Sequence, residues 1–422
     1  MMDALGMLAE LVAIPSVTDT PGEAQAIAWL ERLLQARGIR PERVGDASRP
    51  NLVAHLPGTC PAAKPLVLLS HIDVAPVAGQ AWTHPPFGAE IADGRLYGRG
   101  TLDTKQLTIM ELMAFLRLRA MGGTRRDVFL VATVDEEKGS AFGAERVARE
   151  CPSLFGDVIA ISEGGGFPLS IGGKAYLTMT VGEKASCRIR LQACGQSGHA
   201  GAPGEEQAVL RLTRAVACVL DGVAALANQG ETYRAMARRI GATPDNALAC
   251  ELLAYAGQCG VAVRPFQIGE RVNVLPAEAA ITLELRPLPG TTRADVEGWL
   301  AQWLQCENVT FAIESFQPGI LCQPEHPLGR RVAALAAEAA ARHGMAAEIL
   351  PMLALGRTDG RFFGGDSSVF GFSPLGMADA FDAILPLVHG VDEQVSIGGF
   401  QFGCAVLTDM VTQLAMEVEW DG

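Results

Sequence analysis

Five short polar clusters in the 422-residue chain occur where an apolar run ends or a loop turns. Leu66–Ser70 leads into His71-Ile72-Asp73, Gly98–Leu102 into Asp103, Val128–Val134 into Asp135-Glu136-Glu137, and Val158–Ser162 into Glu163, while Val388-His389-Gly390 forms the fifth. Imidazole and carboxylate are usual zinc ligands and one carboxylate can join two ions, so this collection suits a pair of divalent cations. In His71-Ile72-Asp73 the carboxylate stands one strand period from the ring and can accept its second N–H, fixing the tautomer and raising ligand basicity. Adjacent Glu136 and Glu137 point in different directions, so one can bind metal while the other faces substrate as general base. Each cluster alone is ordinary for a solvated turn; five on one framework carry the co-catalytic reading. His199, in Gly195-Gln196-Ser197-Gly198-His199-Ala200-Gly201, either faces a ligand from a glycine-rich turn or is a local turn residue. His55, His84, His326 and His343 lie in polar loops or on a helix face without acidic partners, and they take no role.

The elements that must position these groups alternate. The pattern predicts a Pro-started helix from Pro21 to about Arg37, strands at Asn51–His55 and Leu66–Ser70, a helix Lys105–Met121, a β-rich run Asp127–Val134, a helix Ala141–Glu150 and an apolar run Asp157–Ser162. Short, fully apolar strands between helices indicate a sheet covered on both faces, with ligands gathered beyond the carboxyl ends of its strands. From about residue 183 the texture changes. A strand Ser186–Ala193, a helix from about Glu205 to Ala227 and strands near Arg271–Val274 and Ala280–Arg286 precede the stretch Pro287–Gly290, so residues 183–295 read as an inserted, smaller α+β domain. The first catalytic part is then 1–182. Residues 296–422 return to α/β with helices Gly329–His343 and Gly399–Met416, and the fold class is α/β: a mixed sheet with helices on both faces plus the insert.

Composition narrows the function. Apolar residues make up 49% and glycines number 47, while charged residues are only 19%, so disorder is excluded and a large core is expected. The net charge of −13 repels phosphates and acidic headgroups, which argues against nucleic acid and membrane partners. Apolar runs are too short for a membrane span, the first residues do not form a secretory signal, and the expected compartment is the cytoplasm. Ten cysteines with no Cys-x-x-Cys pair read as reduced, mostly buried thiols.

The runs LLSHIDVAP, WTHPPFGAEIADGRLYGRGTLDTKQ, VATVDEEKGSAFGAE, ISEGGG, GQSGHAGAP, RVNVLPAEAAITLELRPLPG, GRTDGRFF and HGVDEQVSIGGF resemble, in order, the blocks of the zinc aminoacylase and carboxypeptidase superfamily. This group includes aminoacylase, carboxypeptidase S, carboxypeptidase G, acetylornithine deacetylase and succinyl-diaminopimelate desuccinylase, and WTHPPFGAEI and HGVDE look most like the carboxypeptidase S branch. The resemblance implies a di-metal hydrolase domain with an inserted lid and dimerisation domain. It implies that Asp103 bridges two ions, with His71 and Glu163 completing one and Glu137 and His389 the other. Glu136 would be the general base, Asp73 the carboxylate behind the ligands, and His199 would reach the site of a partner subunit to steady the oxyanion. Asn273, Arg286 and Arg361 match positions that bind the substrate's carboxylate or acyl oxygen, and the Asp103–Thr104 peptide would be cis. Zinc is the expected metal, with cobalt or manganese as alternatives.

Two departures stand out. The block Asp-Met-Lys-Gly reads Asp103-Thr104-Lys105-Gln106, placing a side chain at the start of a helix, and Gly-Gly-Thr-Asp reads Gly356-Arg357-Thr358-Asp359, adding a cation. The reading that results is metal-dependent hydrolysis of an N-acyl amino acid or short peptide with a free carboxylate, in a homodimer joined through the lid. Its rivals are the same site run toward amide condensation or acyl transfer, and a non-catalytic binding protein.

Overall fold

The computed structural model describes residues 3–201, 204, 206–226, 255, 257–268, 273–305, 308–322, 326–364 and 366–419. The chain divides into two compact units, the second lying within residues 183–321 and interrupting the first in sequence.

The first unit is built on a mixed sheet. Glu42–Asp46, Arg49–Leu56, Val128–Thr133, Leu66–His71, Ile159–Ser162, Ser368–Gly371 and Lys174–Glu183 lie in that order. The four in the middle run parallel and the flanking pairs are antiparallel. Every residue of Leu66–His71 is buried, so both faces of the central strand are covered, as its unbroken apolar run requires. Helices Lys105–Met121, Pro327–Arg342 and Ile397–Met416 pack into one core, and the first lies where the sequence pattern put a helix. Its stop is Gly122, in the left-handed conformation that ends helices at least cost.

This sheet order decides where the chemistry collects. The parallel strands Leu66–His71, Val128–Thr133 and Ile159–Ser162 point their carboxyl ends the same way, and His71, Glu136, Glu137 and Glu163 stand at or just past those ends.

The second unit has its own core and a sheet ordered Gly260–Val263, Glu278–Arg286, Ser186–Cys194, Val309–Gln317. One expectation changes here. Helix Arg293–Trp303 and strand Val309–Gln317 belong to this unit, so it does not end at 295; Pro287–Gly290 is a turn between its strand and helix, with Gly290 at φ 89°, and its composition mimics a linker. Strand Ser186–Cys194 is no edge, because it pairs with Glu278–Arg286 on one side and Val309–Gln317 on the other. Among the described residues Val309–Gln317 is one edge of this sheet, and Gly260–Val263 with Gln267–Ile268 forms the other. On helix Ala208–Leu226, Leu212 and Val216 enter the core while Leu210 and Leu220 face solvent. The expected strand near Arg271–Val274 falls partly outside the described residues; Val274–Leu275 pairs with Gly198–His199.

Among the described residues no helix is long and apolar enough to cross a membrane.

Candidate active site

His71 closes its strand with its ring buried at 1% exposure, and Nδ1 donates to the Asp73 backbone carbonyl at 2.9 Å. This leaves Nε2 facing Asp103 Oδ1 at 3.1 Å and Glu163 Oε2 at 3.3 Å. The other oxygen of Asp103, Oδ2, lies 3.0 Å from His389 Nε2, which is also 3.1 Å from Glu137. Two groups of potential ligands therefore share one carboxylate: His71, Asp103 and Glu163, and Asp103, Glu137 and His389, with the ligand atoms of each group within 4.8 Å of one another. The two oxygens of Asp103 face one group each.

Local backbone explains the convergence. The Asp103–Thr104 peptide is cis, as the resemblance implies, and Lys105 opens the helix immediately after it. Gly100 sits at φ 95°, where a Cβ would lie 2.9 Å from the side chains of Lys105 and Val74, so the approach to Asp103 admits only glycine. The turn bearing Glu136 and Glu137 starts at Asp135, a left-handed residue held by Arg49 at 2.6 Å.

Asp73 works differently from the expectation drawn for His-x-Asp. Its carboxylate stands 3.5 Å from His71 Nδ1, farther than its own backbone carbonyl. The oxygens instead accept from the Thr18 hydroxyl at 2.5 Å and from the amides of Glu136 and Glu137 at 3.2 and 3.3 Å. Asp73 thus fixes the Glu136-Glu137 turn beside the ring.

The electrostatics are those of a site short of positive charge. Burial, and then the nearby Glu163 carboxylate, push the Glu136 carboxyl well above its ordinary range, and burial also raises Glu163 and Asp359. Hydrogen bonds that the His389 ring donates to Asp103 and Glu137 raise it to about 10. Burial opposes ionisation of Asp103, but hydrogen bonds from His389 and His71 overcome it and hold that carboxyl low. Oxygen and imidazole donors crowded in this way fit divalent cations, whose charge would relieve the crowding.

Arg361 lies at Glu136. Its Nη1 donates to the Thr358 carbonyl at 2.6 Å and approaches Glu136 Oε1 at 3.4 Å, while Nη2 donates to Ser140 Oγ at 2.7 Å. Asp359, which sequence reasoning passed over beside Arg357, is buried and accepts from Ser140 and Thr133. Gln106 is buried and donates to the Leu102 carbonyl at 2.6 Å, bracing the segment before Asp103. The three residues expected from the insert lie in the second unit. His199 is exposed, with Nδ1 accepting from the Gly201 amide, and the neighbouring Ala200 amide donates to the Asn273 carbonyl, so the fold brings His199 and Asn273 together. Arg286 lies 3.9 Å from Glu284, and its Nη1 is buried without a hydrogen-bond partner among the described residues. The expectation that the remaining histidines lack acidic partners is corrected at three of them: His55 meets Asp127, His84 meets Glu90 and His343 meets Asp409. None of these pairs gains a third ligand among the described residues.

The sequence from residue 67 to 413 matches the model of peptidase family M20/M25/M40. The chain belongs to this family. It is therefore a hydrolase of the metal-dependent, amide-cleaving kind. It is 24% identical over 438 residues to bovine (Bos taurus) N-fatty-acyl-amino acid synthase/hydrolase PM20D1, covering 92% of this chain and 83% of the relative. To human (Homo sapiens) aminoacylase-1 it is 25% identical over 413 residues, covering 96% and 94%. Among solved structures it is similar to the M20 family metallo-carboxypeptidase Sso-CP2 of Sulfolobus solfataricus, with a TM-score of 0.73, 18% identity and coverage of 98% and 99%.

Proposed function

We propose that this protein hydrolyses the amide bond of an N-acyl amino acid or short peptide bearing a free carboxylate, with two divalent ions per chain. The observation that carries the reading is Asp103, whose two oxygens face two separate ligand groups while Glu136 stands beside them. His71, Asp103 and Glu163 would hold one ion, and Asp103, Glu137 and His389 the other, with zinc the metal best matched to the donors. The ions supply positive charge that polarises an amide carbonyl and makes water a stronger acid. Glu136 takes the proton from the attacking water and delivers it to the amide nitrogen as the C–N bond breaks. Its buried carboxyl, raised above the ordinary range, is suited to hold that proton between the two steps. Asp73 keeps the Glu136 amide in place, and Arg361 steadies the carboxyl from the other side or contacts substrate. His199, from the lid of a partner subunit in a homodimer, donates to the oxyanion, while Asn273 and Arg286 receive the substrate's carboxylate or acyl oxygen. Val309–Gln317, the longer of the sheet's two edges, is the strand we assign to join two lids.

A screen of N-acetyl, N-succinyl and long-chain N-acyl amino acids together with dipeptides, run with and without chelator, tests this reading. Chelator-sensitive release of a free amino acid is expected from at least one class, and the absence of turnover on all four rejects it. A second reading, amide condensation, is favoured by the synthase/hydrolase activity named for the bovine relative. Supplying fatty acid and amino acid together and weighing the product decides between the two directions.

A further inference from the structure

We infer that Arg99, Glu393 and Gln80 form a cross-clamp that sets the position of His389, and with it the affinity of one of the two cations. The inference rests on the two-ion reading above.

The two potential cation sites are supported unequally. His71 ends a central strand, is 1% exposed, and has its second ring nitrogen fixed by the Asp73 carbonyl. Strand pairing and packing hold that ligand. His389 has neither support: its side chain is 52% exposed, and its backbone sits at φ 58°, the left-handed region that a non-glycine residue keeps only when its surroundings impose it. What imposes it is a pair of side chains. Gln80 Nε2 donates to the His389 carbonyl at 2.9 Å and Arg99 Nη2 donates to the same oxygen at 3.1 Å. Gln80 Oε1 in turn accepts from Arg99 Nη2 at 3.0 Å and from the Trp82 indole at 3.1 Å.

The grip is reciprocal between the two loops. Arg99 belongs to the segment leading to Asp103 and holds the carbonyl of His389; Glu393 belongs to the segment following His389 and holds the segment of Asp103. Glu393 Oε2 accepts from Arg99 Nη1 at 2.6 Å, with both side chains fully buried. Its Oε1 accepts from the amides of Gly100 at 3.0 Å, Leu102 at 2.7 Å and Asp103 at 3.3 Å. An arginine is required at the centre because its planar fork reaches Glu393 with one arm and His389 with the other, which a lysine's single ammonium cannot do. None of the three residues is a catalytic group. They act through His389 and Asp103, so they are positioning residues.

The test is zinc titration of the metal-stripped protein, read by calorimetry and by the visible spectrum on cobalt substitution. The wild type should show two ions per chain. Gln80→Ala and Gln80→Glu should each weaken one of the two by about tenfold or more, leave the other within threefold, and change the cobalt spectrum only for the affected ion, while Arg99→Lys, which also loosens Glu393 on the shared ligand's segment, should weaken that same ion more than the other. Gln80→Glu is informative because its carboxylate still accepts from Arg99 but has no hydrogen to give His389. Circular dichroism establishes that each variant is folded. If Arg99→Lys does not fold, the two Gln80 variants, on a partly exposed side chain, decide alone. Folded variants that bind both ions with wild-type affinity, or lose both equally, overturn the clamp. A wild type that takes up no second ion overturns the two-ion reading itself, which is a different result.

Discussion

Glu136 and Glu137 are neighbours with separate environments, and the difference gives a clean substitution. Glu137 faces His389 at 3.1 Å, whereas Glu136 faces Arg361 at 3.4 Å. Glu136→Gln keeps shape and removes the proton acceptor, so turnover should fall by at least ~10²-fold with metal content, measured by atomic emission, nearly unchanged. Loss of metal from Glu136→Gln but not from Glu137→Gln would reverse the assignment. At this scale the sequence was informative wherever a ligand follows an apolar strand, because strand ends in a parallel sheet have one destination. It was silent on Thr18, Gln80 and Arg99, whose work is done by hydrogen bonds to residues far away in the chain, and misleading on Asp73, where a two-residue spacing predicted the right neighbour and the wrong acceptor.

At the scale of elements, helix Lys105–Met121, buried along most of its length, carries a cost that its position in the sequence does not reveal. Glu111 on this helix is fully buried, neither of its oxygens has a well-formed hydrogen bond, and burial raises its pKa well above the ordinary 4.5, opposed by the adjacent Ser70 hydroxyl. A carboxyl raised by folding stabilises nothing once the unfolded chain can ionise more readily. Its contribution is whole below the ordinary value and is lost as pH climbs toward the raised value. The wild type should therefore lose stability relative to Glu111→Gln at up to about 1.4 kcal/mol per pH unit over that interval. Urea melts of both proteins from pH 5 to 8.5, with metal held constant, measure the difference, and parallel pH dependences reject the account. The helix boundaries themselves were readable, since Gly122 and the polar start at Lys105 are local signals. The sheet neighbours were not: whether Ser186–Cys194 is central or at an edge depends on Val309–Gln317, more than a hundred residues later, and Pro287–Gly290 has the same composition whether it joins domains or turns within one.

For the whole molecule, the core of the first unit is large enough that cations are not needed to fold it, unlike a zinc finger. Exhaustive chelation should abolish activity yet leave a cooperative thermal transition, lowered by the lost binding energy; full activity without metal would contradict the reading. The proposed dimer can be examined by complementation. Mixing inactive Glu136→Gln chains with inactive His199→Ala chains should restore part of the activity, because a hybrid holds one site with both residues intact. If subunits demonstrably exchange and no activity returns, His199 does not act across an interface. The order of the ligands along the chain also gives the two sites different ages. His71, Asp103 and Glu163 lie in the first 163 residues of the chain, and the strands that end at His71 and just before Glu163 pair with each other, so the first ligand set can close while the rest of the chain is still being made. The second waits for His389, by which time the whole inserted unit has been translated. On the proposed two-ion reading, a growing chain thus passes through a long stage in which the first ligand set is complete and the second still lacks His389.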